Sequence, residues 1–236
     1  MFFISPPFGN YLYVPNMTRI YGSFTLEPRD GLWLQVIKTL RYIPKYRGWI
    51  NKIGLRNKGI DWALKNVPEE HVISVAIMNE SDIPLLLKKI PNERSIEINI
   101  SCPNVIKSGN IDNLTGFLNN KRKWCILKLS PKVSLNQMDL YYKIGFRQFH
   151  CSNTIQIPEG GLSGIAVQPH TIDNIMYLKT KYSDVEVIAG GGIKTWKNVE
   201  MYKVHGADHY SISTGWFSPF HIIPFLVRYA MHNSNI

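Results

Sequence analysis

The sequence lacks the features that mark a membrane, secreted or zinc-binding protein. None of its apolar runs approaches the ~18 residues that a membrane-spanning helix needs. Its three cysteines, Cys102, Cys125 and Cys151, form no C-x-x-C pair, which argues against a zinc site and a disulfide framework. No cationic segment precedes the apolar N-terminus, and prolines and a glycine interrupt it early, unlike a secretion signal. We therefore expect a cytoplasmic protein with no membrane partner and no metal.

The chain also lacks a linker and has few acidic residues. No Ser/Gly-rich or low-complexity stretch divides its 236 residues, which favours a single domain over residues 1–236. Lys and Arg number 27 against 17 Asp and Glu, a net charge of +10. This charge favours anionic partners such as phosphate cofactors, carboxylate substrates or nucleic acid. Hydrophobic residues make up 44% of the chain, enough to build a sizeable core.

Eight short runs rich in β-branched and apolar residues are predicted as strands. They cover residues 2–5, 19–25, 72–78, 95–101, 124–130, 147–152, 185–190 and 208–214. Amphipathic segments between the later runs predict helices, with Ser134, Thr171 and Thr195 at N-cap positions. This alternation predicts an α/β fold, a TIM (β/α)8 barrel of parallel strands. Because only residues 10–19 join the first two strands, the first βα unit is expected to be shortened or irregular, and residues 27–60 form an irregular excursion.

Polar and glycine-rich clusters follow the predicted strands at their carboxyl ends, where barrels of this type place their active sites. Three of these clusters are rich in glycine: G-G-L-S-G (160–164), G-G-G (190–192) and S-T-G (213–215). Glycine lets backbone N–H groups approach an anion closely. The sequence contains neither G-x-G-x-x-G nor a P-loop, so the clusters predict a phosphate site of the barrel type rather than a Rossmann site.

Asparagine, cysteine and lysine side chains lie among the same clusters. Four asparagines offer both a donor and an acceptor: Asn51, Asn99, Asn104 and Asn153. Together they suit a ligand with amide-like groups such as a pyrimidine ring, although each alone is also typical of a turn or cap. Cys102 is a candidate general base, with a buried structural thiol as the alternative. Lys128 lies within an apolar strand and predicts a negatively charged partner, or else it extends to solvent at an edge.

These motifs resemble those of the dihydroorotate dehydrogenases, FMN-dependent flavoproteins with a TIM barrel. I-E-I-N-I-S-C-P-N is similar to the family signature E-L-N-L-S-C-P-N, and N-K-I-G-L-R-N-K-G is similar to its N-x-M-G-x-x-N-x-G. I-L-K-L-S-P, S-N-T, G-G-L-S-G, I-A-G-G-G-I and S-T-G follow, so the resemblance covers about residues 20–220. A cysteine at position 102 is similar to the soluble class 1 enzymes, whereas G-S-F-T is more similar to the membrane-associated class.

The resemblance implies conversion of dihydroorotate to orotate in pyrimidine biosynthesis, with FMN as cofactor and a soluble electron acceptor. Cys102 would take a proton from C5, and hydride would pass from C6 to flavin N5. The four asparagines and Thr154 would hold the substrate, and Lys128 would contact the pyrimidine edge of the flavin. The residues implied in phosphate binding are Gly164, Gly191, Gly192, Ser213 and Thr214. Many members of the family are homodimers, and nucleic acid is not expected as a partner.

The chain departs from the family at an active-site lysine. The position aligned with the class 1 lysine is Gly22, and F-G-N-Y-L replaces the D-K pair of the other class. Candidates to replace this cation are Arg19, Arg29 and Lys52. The departure leaves two alternatives open. One is a related barrel flavoenzyme that acts on another dihydropyrimidine or on dihydrouridine in RNA, and the other is a non-catalytic descendant.

Overall fold

The computed structural model describes residues 1–100 and 111–233. Its strands are β1 (Phe2–Ile4), β2 (Thr18–Phe24), β3 (Arg41–Ile43), β4 (Gly48–Asn51), β5 (Val72–Ala76), β6 (Ile96–Asn99), β7 (Cys125–Leu129), β8 (Gln148–Cys151), β9 (Ile155–Ile157), β10 (Gly160–Gly164), β11 (Glu186–Gly190) and β12 (His209–Ile212). Its α-helices are α1 (Leu32–Thr39), α2 (Gly59–Asn66), α3 (Asp82–Lys89), α4 (Leu135–Lys143), α5 (Gln168–Lys181), α6 (Trp196–Val204) and α7 (Pro219–Asn233). Each of the eight predicted strands is present, with its ends within two residues of the prediction.

Eight strands close into a parallel barrel in the order β1-β12-β11-β8-β7-β6-β5-β2. The first strand closes it, because Ile4 pairs with Ile212 on one side and with Arg19 on the other. The predicted TIM barrel is confirmed. Its first unit is short, as predicted, since a single 3-10 turn at Phe8–Asn10 lies where a helix would join β1 to β2.

A four-stranded antiparallel sheet, β3-β4-β10-β9, stands outside the barrel. Its first two strands lie within residues 27–60, together with α1 and the start of α2. The predicted excursion before the third barrel strand is therefore present, but the prediction that it is irregular is wrong. The G-G-L-S-G segment is also not a loop but strand β10, with Gly161 paired to Asn51. The rings of Trp49 and Phe217 lie 4.3 Å apart and pack this sheet against the segment after β12.

Alternation along the barrel strands separates an outward face from an inward one. Outward side chains such as Phe149 and Cys151 pack with the surrounding helices in the main hydrophobic core. An inward apolar layer fills the barrel toward the amino ends of the strands: Phe3, Ile20, Val72, Trp124, Ile126 and Ile188. Two residues further along several strands the inward positions become polar or small: Ser5, Ser74, Lys128 and Gly190. The barrel therefore has a packed base and a polar floor beneath its carboxyl-end mouth.

Capping residues place several helices as predicted. Ser134 and Thr195 each form a capping box, with Gln137 and Asn198 respectively. The prediction for Thr171 is wrong, because α5 begins earlier and Thr171 is buried inside it. Among the described residues, no helix has the length and apolar character needed to cross a membrane.

Candidate active site

A cleft of about 480 Å³ opens at the carboxyl ends of the barrel strands. Its lining includes seven of the predicted site residues: Lys128, Asn153, Thr154, Gly191, Gly192, Ser213 and Thr214. The other lining side chains include Ser5, Ser152, Ser163 and Ser211, which are small. The mouth of the barrel is therefore open and polar, as a ligand site in this fold requires.

Two of the predicted asparagines meet at this mouth. Asn153 Nδ2 donates to Asn99 Oδ1 at 3.1 Å, and Asn99 Nδ2 donates to Ser23 Oγ at 3.2 Å. The backbone N–H of Thr154 donates to Asn153 Oδ1 at 2.9 Å. These bonds join the ends of β6 and β8 and orient both amides.

Asn51 is placed differently from the other predicted substrate residues. It ends β4 in the outer sheet, and its Oδ1 accepts the N–H of Ile53 at 3.3 Å. Its pairing partner Gly161 approaches Thr154 so closely that a Cβ there would lie 2.8 Å from Thr154 Oγ1. Asn51 is thus one strand away from the cleft, and it does not line the cleft formed by the described residues.

Cys102 and Asn104 lie outside the described residues. Their roles as base and substrate ligand therefore stay predictions from the S-C-P-N motif. The strand that precedes them in the sequence, β6, ends at Asn99.

A buried charge cluster forms the floor of the cleft. The Glu97 carboxylate is fully buried and faces Lys128 Nζ at 3.2 Å and His150 Nδ1 at 2.5 Å, each through a different oxygen. Ser74 Oγ donates a further bond to Glu97 at 2.7 Å. Buried charges are tolerated when they are paired and hydrogen-bonded in this way, so the cluster fixes Lys128 at the end of β7.

The charge state of this cluster follows from its surroundings. Burial opposes ionisation of Glu97, but the facing Lys128 and His150 outweigh it and lower the pKa of Glu97 to about 2. Burial lowers the pKa of His150, and the neighbouring Glu97 carboxylate opposes that shift only in part. At neutral pH Glu97 is therefore a carboxylate, and the neutral imidazole of His150 donates to it from Nδ1.

Sequence reasoning missed Glu97 and His150, although the sequence contains a signal for both. Glu97 lies two residues before Asn99, and His150 lies two residues before Ser152. Because alternate residues of a strand share one face, a charged or ionisable residue two positions before a mouth residue points into the barrel.

The glycine segment 190–192 has its carbonyl groups held by side chains from two helices. The bonds are Thr171 Oγ1 to Gly190 O at 3.0 Å, Tyr202 Oη to Gly191 O at 2.7 Å and Gln168 Nε2 to Gly192 O at 3.1 Å. Gly191 and Gly192 have φ values of 91° and 69°, which favour glycine. These bonds fix the conformation of the glycine segment beside the cleft, and glycine lets backbone N–H groups approach an anion closely.

A second cleft, of about 300 Å³, adjoins the first and shares Gly192 and Thr214 with it. Gly164 lines this second cleft, and a Cβ on Gly192 would lie 3.0 Å from Gly164 O. Two cationic residues that sequence reasoning missed, Arg47 and Lys194, also line it. Lys194 lies two residues after the glycine segment, which was the available signal. Cations beside a glycine segment suit a phosphate group.

Comparison with known proteins agrees with this geometry. Residues 17–228 match the sequence profile of the family described as dihydroorotate dehydrogenase. The chain belongs to this family. The catalytic subunit of dihydroorotate dehydrogenase B (NAD(+)) from Thermotoga maritima is 25% identical over 255 residues, which cover 95% of this chain and 93% of that protein. The putative dihydroorotate dehydrogenase A (fumarate) from Pediococcus pentosaceus is 26% identical, over 91% of this chain and 84% of that protein.

Solved structures of dihydroorotate dehydrogenases share the fold. The ligand-free enzyme from Eimeria tenella gives a TM-score of 0.69 at 18% identity, covering 89% of this chain and 75% of that one. The complex of the Eimeria tenella enzyme with ferulenol gives a TM-score of 0.66. The resemblance predicted from the motifs is therefore confirmed, and the chain is an oxidoreductase of the dihydroorotate dehydrogenase family.

Gly22, which the sequence motifs predict to align with the class 1 lysine, has no room for a side chain. Gly22 has a φ of 129°, and a Cβ there would lie 2.6 Å from Ser74 O. The Asn10 side chain also bonds both the N–H and the carbonyl of Gly22, at 2.8 and 3.1 Å. Arg19 does not replace the lysine, because it lies at the amino end of β2 and bonds His71 at 3.3 Å. The departure from the family is thus built into the backbone.

Proposed function

We propose that the chain is an FMN-dependent dehydrogenase that converts dihydroorotate to orotate in the synthesis of pyrimidines. The observation that carries the proposal is that one cleft at the barrel mouth combines a buried lysine, bonded amides and a glycine backbone with its carbonyls held by side chains. Family membership implies a flavin. The lysine and the glycine backbone suit two parts of FMN, and the amides suit the substrate. A soluble electron acceptor, a cytoplasmic location and a homodimer belong to the same proposal.

The residues fit the cofactor in two groups. Gly164, Gly191, Gly192, Ser213 and Thr214 lie in or beside the adjoining clefts and would hold the phosphate. Arg47 and Lys194 would add positive charge at that end. Lys128, on the floor, would meet the polar edge of the flavin. When bound, FMN would supply the hydride acceptor.

The substrate would lie above the bonded amides. Asn99 and Asn153 would donate to the pyrimidine and its carboxylate, with Thr154 beside them and Asn104 completing the set. Cys102 would take the proton from C5, because a thiol is the ionisable group that the S-C-P-N motif places after β6. Hydride would leave C6 for the cofactor, so that the proton and the hydride together balance the oxidation.

An anaerobic titration tests this function. The purified protein is incubated with FMN, freed of unbound cofactor and mixed with dihydroorotate while flavin absorbance is followed. We expect the flavin colour to be lost with one equivalent of dihydroorotate per bound FMN. A protein that holds FMN but keeps its colour contradicts the substrate. A protein that takes up no FMN contradicts the cofactor and favours the non-catalytic alternative.

A second substrate is favoured by one observation, the blocked position at Gly22. A cation missing beside a carboxylate weakens binding of an acid more than that of a neutral ring, by about 1–3 kcal/mol. We therefore propose a dihydropyrimidine without a carboxylate as the alternative substrate. Dihydrouracil, dihydroorotate and RNA containing dihydrouridine are compared as reductants in the same assay. Faster loss of flavin colour with dihydrouracil, or with the RNA, would select the alternative.

A further inference from the structure

His150 has a role that neither the motifs nor the family assign. It is 1% exposed, yet it lines the cleft at the end of β8. Within the described parts of the chain, its Nδ1 bonds Glu97 and its Nε2 makes no hydrogen bond. Since His150 lines the cleft and Nε2 has no hydrogen bond to the described residues, Nε2 is available to a polar group of a ligand bound there.

Glu97 on one side of the ring and Gly190 on the other fix the direction of His150 Nε2. Glu97 holds Nδ1 at 2.5 Å, which orients the ring and sets the tautomer. On the other side, β11 contributes Gly190, where a Cβ would lie 2.8 Å from Nε2. The glycine therefore leaves Nε2 room at the cleft, and any larger residue at position 190 would close it off.

The charges around His150 are nearly balanced. Among the described residues, the charged groups that face it are Glu97 from β6 and Lys128 from β7. The carboxylate and the ammonium offset each other, so the net charge of the floor changes from about zero to about +1 when Nε2 takes a proton. Negative charge that develops in a ligand on this floor would favour that proton.

We propose that His150 contacts the polar edge of the flavin through Nε2 and binds a proton from solvent there when the cofactor is reduced. This inference rests on the proposed function. In the balanced step, two electrons and one proton arrive on the flavin as hydride, and one further proton passes from water to Nε2. Glu97 is the positioning residue that aims the ring.

Potentiometric titration of the FMN-loaded protein tests this role. Each proton taken up with two electrons changes the midpoint potential by about 30 mV per pH unit. Between pH 7 and 8.5 we expect a slope of about 60 mV per pH unit for the wild type. His150→Asn keeps a nitrogen for Glu97 but removes Nε2, so its slope falls to about 30 mV, and its FMN affinity falls about three- to tenfold. Cys151→Ala, on the next residue of the same strand but facing the helices, is the matched control and keeps both values.

The outcomes separate this inference from the proposed function. A wild-type slope of about 30 mV, or an equal slope in His150→Asn, overturns the role of His150 while the flavin remains bound. A wild-type chain that binds no FMN overturns the proposed function itself. Where His150→Asn does not fold, His150→Gln is measured instead, and an unchanged slope in it overturns the inference equally.

Discussion

The buried carboxylate of Glu97 gives a prediction that depends on pH. Glu97→Gln removes the charge but keeps the size of the side chain. It leaves Lys128, 7% exposed, without its ionic partner. Because breaking a buried pair leaves an uncompensated charge, the variant is expected to be less stable than the wild type at neutral pH.

The magnitude follows from the pKa of Glu97. Its value falls from 4.5 to about 2 on folding. At 1.36 kcal/mol for each pKa unit, the ionised carboxylate stabilises the fold by about 3 kcal/mol. Because the folded pKa is the lower one, this stabilisation is complete above about pH 5 and is lost as the pH falls from about 4.5 toward 2. At pH 3 about half of it remains.

Urea unfolding of the flavin-free proteins measures this effect. The free energy of unfolding is compared for the wild type and Glu97→Gln at pH 7, 5, 4 and 3. We expect a difference of about 3 kcal/mol at pH 7 that falls by about half at pH 3. His150, whose pKa burial lowers, reduces the stability of both proteins as the pH falls below its ordinary range.

Asp61→Asn is the control for this experiment. Asp61 forms an exposed pair with Lys89 at 2.8 Å, and exposed pairs contribute little to stability. The control is expected to change stability only slightly at every pH. A difference between wild type and Glu97→Gln that is the same at pH 7 and pH 3 would refute the reasoning, because it would mean that the ionised carboxylate does not stabilise the fold.

Three further predictions concern single side chains. Tyr202→Phe loses the hydroxyl that bonds the carbonyls of Gly190 and Gly191. Fluorescence titration should therefore give about three- to tenfold weaker FMN binding. Tyr141→Phe, a control at another buried tyrosine, should bind FMN as the wild type does. Asn57→Ala loses side-chain hydrogen bonds to three backbone groups. In urea unfolding, its free energy of unfolding should be lower than that of the wild type by about 2–3 kcal/mol. A decrease below about 1 kcal/mol would mean that these bonds do not stabilise the fold. Cys102→Ala should keep FMN but slow its reduction by dihydroorotate about 100-fold or more in stopped-flow absorbance, and unchanged reduction would remove Cys102 as the base.

The barrel could be predicted from the sequence because its strands are short apolar runs between polar ends. The outer sheet could not, because β10 consists of G-G-L-S-G and has little intrinsic strand preference. Its conformation is set by pairing with β4, a contact between residues more than a hundred positions apart. In β10, strand pairing therefore decides the conformation against the local preference of the residues. Thr171 is a similar case, because its side chain bonds the distant carbonyl of Gly190 and does not cap its helix.

Some residues of the candidate site could also be predicted from the sequence, and others could not. Lys128, Asn99 and Asn153 were predictable because motifs place them at strand ends. Glu97 and His150 were missed because they lie inside strands, where only the two-residue alternation reveals an inward direction. The blocked position at Gly22 was visible as a departure from the family, but its cause, the close approach of Ser74 O, requires the three-dimensional fold.

The seam between β1 and β12 has a consequence for synthesis of the chain. Phe2–Ile4 leaves the ribosome about 200 residues before its partner His209–Ile212. Until β12 pairs with β1, the barrel sheet has two edge strands with unpaired backbone groups, and such edges are prone to pair with other chains. Since Ser5 and Pro6 beside the seam line the cleft, the cleft is complete only after β12 has been made and has paired with β1.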